Sequence, residues 1–370
     1  MPSGFPHALS PEELAARRHA HVTAFLAARG LSPEWLTRVM RERTGDGRLL
    51  LTSSPVHGLA NHTSDFDFIR IQEEELEGPR ISIKIFEEGH HLEVVSFSRA
   101  ELAANLEELE RLAAAPPEET VAGFRAWDKV REPRRKQTER IVNGMALDGT
   151  APYLEALPAL STVWSRASLQ TAVEQVVHTA LAEAAGETRG RVGYALNALL
   201  HVMDALLSYH GDVYTTRKWY LLRWARQVAD GGWRTERLQA LAADVERLRK
   251  GVHQALRPEA AAEPLAASYA DLVRAAVRAT GVGDDLSVRV EVTGDVHPYL
   301  PGAGLLLSRG GSGVVLPGAG AGTDLPFTTE ATGLEGLLSL DAAAAGSLLR
   351  ALRADAARLR IGYTRQEAGR

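Results

Sequence analysis

LLLTSSPVHGLANHTSDFDFIR, residues Leu49–Arg70, is the stretch on which the fold turns. Leu49-Leu50-Leu51 is short, apolar and followed by small residues, which predicts a buried strand. Thr52-Ser53-Ser54-Pro55 is a small-residue turn, and Gly58 and Asn61 lie in the loop after it. In Ser64-Asp65-Phe66-Asp67-Phe68-Ile69, carboxylates alternate with rings. Alternate side chains of a strand share a face, so Asp65 and Asp67 point one way and Phe66 and Phe68 the other. The rings can be buried against helices while the carboxylates face a cleft. Two ionised aspartates one strand repeat apart repel, and a cation between them removes the cost. A divalent metal is the usual solution.

Working outward, Ser10-Pro11-Glu12-Glu13 predicts a capped helix to about Arg29, stopped by Gly30. Ser32-Pro33-Glu34 opens a second helix, and strands follow near 48–54 and 66–72. Arg80–Phe86 alternates Ile81, Ile83 and Ile85 with Ser82 and Lys84, and Glu88-Gly89 turns it into His91–Phe97, a hairpin. Ser98 and Glu101 form a second capping box, for a helix that ends before Pro116-Pro117. From Glu118 to Leu256 apolar residues recur at helical spacing, as in Leu196, Leu199, Leu200, Met203 and Leu207. A short helix is expected near Pro152–Leu160, and longer ones over Ser165–Ala185, Gly190–His210, Thr215–Ala229 and Arg234–Leu256. Together they predict a bundle. Pro258–Pro264 reads as a linker. Beyond it come a helix at Ser268–Thr280, a strand at Leu286–Val292, a hairpin within Gly302–Pro317 turning at Gly310-Gly311, a Gly-rich stretch Gly318–Gly322, and one helix over Glu335–Leu359. The expected class is α+β: a small mixed β-sheet core with helices (1–116), a helical bundle (117–257) and a small α+β appendage of unassigned role (265–370).

The 370 residues suffice for more than one sizeable core. A net charge of −5 leaves no overall basic footprint for nucleic acid, and the absence of cysteine excludes disulfides and thiolate chemistry. The N-terminus shows no signal-peptide pattern, and no apolar run is long enough to span a bilayer. A cytoplasmic protein without nucleic-acid or membrane partners is the expectation.

The order strand, Ser53-Ser54, then Asp65-x-Asp67 resembles the signature of the DNA polymerase β-like nucleotidyltransferase superfamily. There a Gly/Ser-Ser pair opens a helix and Asp-x-Asp lies on the next strand. Many members have Gly-Ser where this chain has Ser53-Ser54. Tyr209–Trp224, YHGDVYTTRKWYLLRW, looks like the C-terminal bundle of aminoglycoside and other small-substrate nucleotidyltransferases. The resemblance implies two Mg2+ ions held by Asp65, Asp67 and a third carboxylate, for which Glu93 in HLEVVSF is the candidate. These three would be the catalytic residues and metal ligands. Ser53, Ser54, Ser64, Arg217 and Lys218 would bind the nucleotide, with Lys218 on the β/γ-phosphates. The implied activity transfers NMP, expected as AMP, from an NTP to a small-molecule hydroxyl or amine and releases pyrophosphate. Alternatives are nucleotidylation of a protein or tRNA, or a nucleotide-binding regulator that has lost chemistry. The residues agree with the resemblance in chemistry. Magnesium takes hard oxygen ligands, one or two carboxylates plus phosphates, and two ions clamp an in-line displacement.

His57, His62, His90 and His91 match no zinc template, and His57 and His62 are read as surface-loop residues. Arg131 and Arg134-Arg135-Lys136 read as a solvated helix face. Tyr209, Trp219, Leu222 and Trp224 read as packing residues.

Overall fold

A computed structural model of the chain describes residues 5–76, 81–127, 134–233, 235–254, 264–298, 304–309, 312–316, 325 and 333–365. The expected linker up to residue 263, the Gly310-Gly311 turn, the Gly318–Gly322 stretch and Arg131 lie outside them. Contacts group the chain into two compact units, 1–164 with 207–232 and 165–206 with 233–370. The stretch expected as one bundle is therefore shared between both.

In the first unit, α1 (Pro11–Ala27) begins at a complete capping box: the Ser10 hydroxyl accepts from the Glu13 N–H at 3.2 Å, and the Glu13 carboxylate accepts from the Ser10 N–H at 2.8 Å. α2 (Pro33–Thr44) begins at Ser32. A five-stranded sheet follows, built from β1 (Arg48–Leu51), β2 (Phe66–Gln72), β3 (Ser82–Glu87), β4 (His90–Ser98) and β5 (Met145–Ala146), in the order β3-β4-β2-β1-β5. Only β2 and β4 run parallel; β3 and β4 form the expected hairpin. α3 (Arg99–Ala114) starts at the Ser98–Glu101 box, and α4 (Pro117–Trp127) and α5 (Arg134–Asn143) follow.

The alternation read from Asp65–Ile69 decides which face each residue serves. Phe66, Phe68, Leu51, Leu92 and Val94 are buried in one cluster with Phe25, Leu36 and Met40 of α1 and α2. Ile69, Ile71, Leu50 and Phe97 are buried in another, with Leu102 of α3 and Ile141 of α5. Asp67 shares the parity of Ile69 and Ile71, so its carboxylate lies on the face that α5 covers.

The long helices are α6 (Leu157–Ala184), α7 (Thr188–Tyr209), α8 (Tyr220–Asp230) and α9 (Glu236–Gln254). The short helix expected near Pro152–Leu160 is a 3-10 turn, Leu154–Ala156, that runs into α6. Proline at 158 causes no break because first-turn N–H groups have no intrahelical partner. The helix expected from Thr215 starts instead at Tyr220, after a 3-10 turn at Arg217–Trp219.

In the second unit the Ser168 hydroxyl of α6 donates to Asp204 of α7 at 2.6 Å. α10 (Ala266–Ala279) packs on α9 and on β6 (Asp285–Val292). β7 (Asp295–Pro298), β8 (Leu305–Arg309) and β9 (Ser312–Leu316) make a three-stranded antiparallel sheet. The helix expected over Glu335–Leu359 is replaced by α11 (Gly333–Leu338), α12 (Ala342–Arg353) and strand β10 (Ala357–Thr364). Asp341 caps α12, which interrupts the run. In β10, buried Ala357, Leu359 and Ile361 alternate with Arg358 and Arg360, which pair with Glu291 of the neighbouring β6. A period of two overrides the Ala/Leu content there.

Candidate functional site

The site grows from the end of β1. Leu51 lies opposite Phe68, and beyond it the N–H and hydroxyl of Thr52 both donate to the Asp67 carbonyl, at 2.9 and 3.0 Å. The chain then turns at Ser53, whose φ is +65°. This is left-handed backbone, which costs an L-residue about 1–2 kcal/mol and glycine nothing. The resemblance expects glycine at this place. Val56 N–H bonds to Ser53 carbonyl at 3.2 Å, Gly58 N–H to Pro55 carbonyl at 3.2 Å and Leu59 N–H to Ser54 carbonyl at 2.8 Å. The segment is thus a succession of tight turns, and the helix that the resemblance places after Ser-Ser is not formed. Ser53 and Ser54 are buried. Gly58 has φ +60°, and a Cβ there would come within 2.9 Å of the His21 ring.

Asp67 and Glu93 face each other across the parallel strands β2 and β4, in register. They share a face with Asp65, which sits just before β2. Each carboxylate has a partner from the chain itself. Asp67 Oδ2 is 2.9 Å from Arg140 Nη2 of α5, and both side chains are largely buried. Asp65 Oδ1 is 3.1 Å from Nδ1 of His91, whose ring stacks on Phe86. Glu93 Oε1 accepts from the Ser82 hydroxyl at 2.7 Å. Lys136, one helical turn before Arg140, faces the same acids. Crowding by protein and then the charge of Arg140 lower its pKa, while Asp67, Glu93 and Glu139 pull it back up. The basic run read as a solvated face therefore divides. Lys136 is exposed as expected, with Asp67 and Glu93 within its electrostatic reach, whereas Arg134 bonds Asn105, and Arg135 bonds the Phe124 carbonyl and covers its ring.

Behind this pair lies a second charged layer. Glu139 is fully buried. Its Oε1 accepts from Asn143 Nδ2 at 2.8 Å and lies 3.4 Å from His57 Nε2, and its Oε2 accepts from Thr215 at 3.3 Å. Asn143 also donates to the Val213 carbonyl and accepts from Arg18 Nη2 at 2.7 Å. The His57 ring packs on Tyr214, 4.6 Å between centroids, with Nδ1 3.8 Å from Asp212. Burial, then the charge of Glu139, pushes the Tyr214 hydroxyl up to about 12. Burial pushes Asp212 up, but Arg223, at 3.1 Å, and His57 outweigh it and hold the carboxyl below its usual range.

The structure thus brings Ser53, Ser54, Asp65, Asp67 and Glu93 to one end of the parallel pair. The Ser64 hydroxyl serves its own turn, accepting from the Asn61 N–H at 3.0 Å. Arg217 and Lys218 are exposed on the 3-10 turn, with the Lys218 ammonium 5.1 Å from the Trp219 ring centre. Sequence reading missed Arg140, Lys136, Glu139, Asp212 and Arg18. The available signal was α5 itself, where Lys136, Glu139, Arg140 and Asn143 stand at i, i+3, i+4 and i+7, a polar stripe of which Glu139, Arg140 and Asn143 are buried.

The donor set suits magnesium in type: two facing carboxylates, with phosphate and water to complete an octahedron. It is not a preformed cage. Among the described residues no three His, Asp or Glu side chains are grouped so that they could hold one ion. No helix among them is long and apolar enough to cross a membrane.

The family whose description reads "Family of unknown function (DUF6001)" matches residues 9–364. No curated protein matches the chain. Among solved structures, it is similar to a nucleotidyltransferase-like protein from Exiguobacterium sibiricum 255-15, at 12% identity over 66% of this chain and 73% of that one. The TM-score is 0.27, too low to carry an argument about either fold or chemistry.

Proposed function

The chain belongs to DUF6001, a family of unknown function, and we propose that it is a nucleotidyltransferase that moves NMP from an NTP to a small-molecule hydroxyl or amine. One observation carries this reading: Asp67 lies directly opposite Glu93 on parallel strands, with Arg140 and Lys136 against them. Paired carboxylates beside cations suit a site that must accept both a metal and a polyphosphate. Asp67 and Glu93, with Asp65 beside them, would hold magnesium, whose shell phosphate and water complete and which would neutralise the triphosphate and polarise its α-phosphorus. The chain's own part is positional. Arg140 and Lys136 present charge to the phosphates, and the Ser53-Ser54 turn presents backbone N–H groups and hydroxyls beside them. The acceptor oxygen or nitrogen bonds to the α-phosphorus, the bond to pyrophosphate breaks, and Glu93 takes the acceptor proton. The Arg140–Asp67 pair also supports a second reading, a nucleotide-binding regulator in which the guanidinium permanently takes the place of a metal.

The test is to incubate the protein with Mg2+, each NTP and a metabolite extract, and to follow pyrophosphate and nucleotidylated products by mass spectrometry. Asp67→Asn should reduce pyrophosphate release by at least a hundredfold. Equal release by variant and parent would refute the transferase reading. NTP binding without release by the parent would favour the regulator.

A further inference from the structure

A cavity of about 80 Å³ opens beside the buried charged layer, lined by α1, the His57 loop and α8. It shares no lining residue with the Asp67–Glu93 pair. About 10–15 Å³ suffices for one water, so the space is large enough for a small polyatomic ion. Its wall is cationic. Arg17, Arg18, Arg223 and Arg226 line it against Asp212 and Asp230. Two of the four arginines are spent on those acids: Arg223 is 3.1 Å from Asp212, and Arg17 is 3.7 Å from Asp230. Among the described residues the other two meet no carboxylate at ion-pair distance. Arg226 donates to the neutral carbonyls of His57 and Gly58, at 2.9 and 2.5 Å. Arg18 is 4% exposed, uses Nη2 on the Asn143 side-chain carbonyl, and leaves Nη1 buried with no hydrogen-bond partner.

A buried guanidinium nitrogen without an acceptor costs on the order of 1–3 kcal/mol or more. Arg18 lines the cavity, whose surplus positive charge supplies a place for an acceptor. His7 also lines it; its Nδ1 accepts from the Leu9 N–H at 3.0 Å, which leaves the ring N–H on Nε2. Guanidinium forks suit tetrahedral oxyanions, and burial strengthens each charge-assisted bond.

We infer that this cavity is a binding site for a phosphate-sized oxyanion, either free phosphate or the phosphate of a small ester, with Arg18 as its principal donor and Arg226 as the second charge. This goes beyond the transferase reading and does not depend on it. The site connects to the acids all the same: Arg18 bonds Asn143, Asn143 bonds Glu139, and Glu139 sits next to Arg140 on α5.

Titration calorimetry of the full chain with inorganic phosphate, without magnesium or nucleotide, tests the inference. Saturable one-site binding is expected, and Arg18→Gln should weaken it at least tenfold. Arg18 is buried, so Gln227→Glu on the half-buried rim supplies a second variant whose fold is not in question. It should also weaken binding tenfold by adding negative charge to the wall. Glycerol phosphate titrated in parallel separates the sources: binding sensitive to the same variants assigns the site to an ester, and binding of phosphate alone assigns it to the free ion. Absence of saturation with both probes, or an affinity unchanged in both variants, would overturn the proposal.

Discussion

Arg140 and Asp67 form the contact on which the site's electrostatics turn, and a double-mutant cycle measures it. Their atoms are 2.9 Å apart, with the two side chains 10% and 20% exposed. Breaking a fully buried pair costs about 3–5 kcal/mol, and an exposed pair is worth about 0–1. At these exposures we expect about 2 kcal/mol for Asp67→Asn, which leaves Arg140 facing a neutral amide. Nε of Arg140 has no hydrogen-bond partner among the described residues, so the guanidinium has little in reserve. Arg140→Met leaves Asp67 facing Glu93 with only Lys136 nearby, at a similar cost. The double variant should lose about 1–2 kcal/mol less than the sum of the singles. Urea unfolding followed by tryptophan fluorescence is the assay. Trp35, Trp127, Trp164, Trp219 and Trp224 all lie in the unit that holds the pair, and only Trp233 lies in the other. The cycle can be repeated with millimolar Mg2+. Arg140→Met should gain stability from the metal and Asp67→Asn should not. A coupling below about 0.5 kcal/mol would refute the pair as an energetic unit, and equal magnesium effects in both variants would refute the competition between guanidinium and metal.

Ser53→Gly should leave the protein as stable or about 0.5 kcal/mol more stable, since relief of left-handed backbone slightly exceeds the added freedom of the unfolded chain. A loss above 1 kcal/mol in the urea midpoint, on the scale of a lost buried hydrogen bond, would show that the Ser53 side chain matters more than its backbone. Asp212 carries a pH prediction. Its folded pKa lies below the unfolded one, so its contribution is complete above the ordinary aspartate value near pH 4 and is lost as pH falls through the folded value. Asp212→Asn should therefore flatten the acid limb of a stability–pH curve below about pH 4, and parallel limbs would contradict the assignment.

Local chemistry was legible where it is self-contained. The capping boxes at Ser10 and Ser98, the β3–β4 hairpin and the alternation of Asp65–Phe68 each rest on residues a few positions apart, and each is present. Glu93 was read from an alternating strand, and the parallel register sets it opposite Asp67. The errors came where one local preference competed with another. Ala and Leu content suggested a helix through Leu359, but β10 pairs along its whole length with β6. Lys136 is exposed, as its run of bases suggested, but nothing in a linear stretch shows that Asp67 and Glu93 lie within its electrostatic reach.

By itself, the sequence determined that Asp65 and Asp67 share one face and the phenylalanines the other, because strand periodicity is a property of the backbone. It also set the chemistry available, hard carboxylate oxygens with no thiolates. Only the tertiary structure decided what answers those charges. Arg140 comes to Asp67 from 73 residues away, and Arg18 reaches Asn143 across 125. Such pairings depend on how α1, α5 and the sheet pack. Packing is settled by the burial of Ile69, Leu50 and Ile141 together, to which charge pattern along the chain contributes nothing.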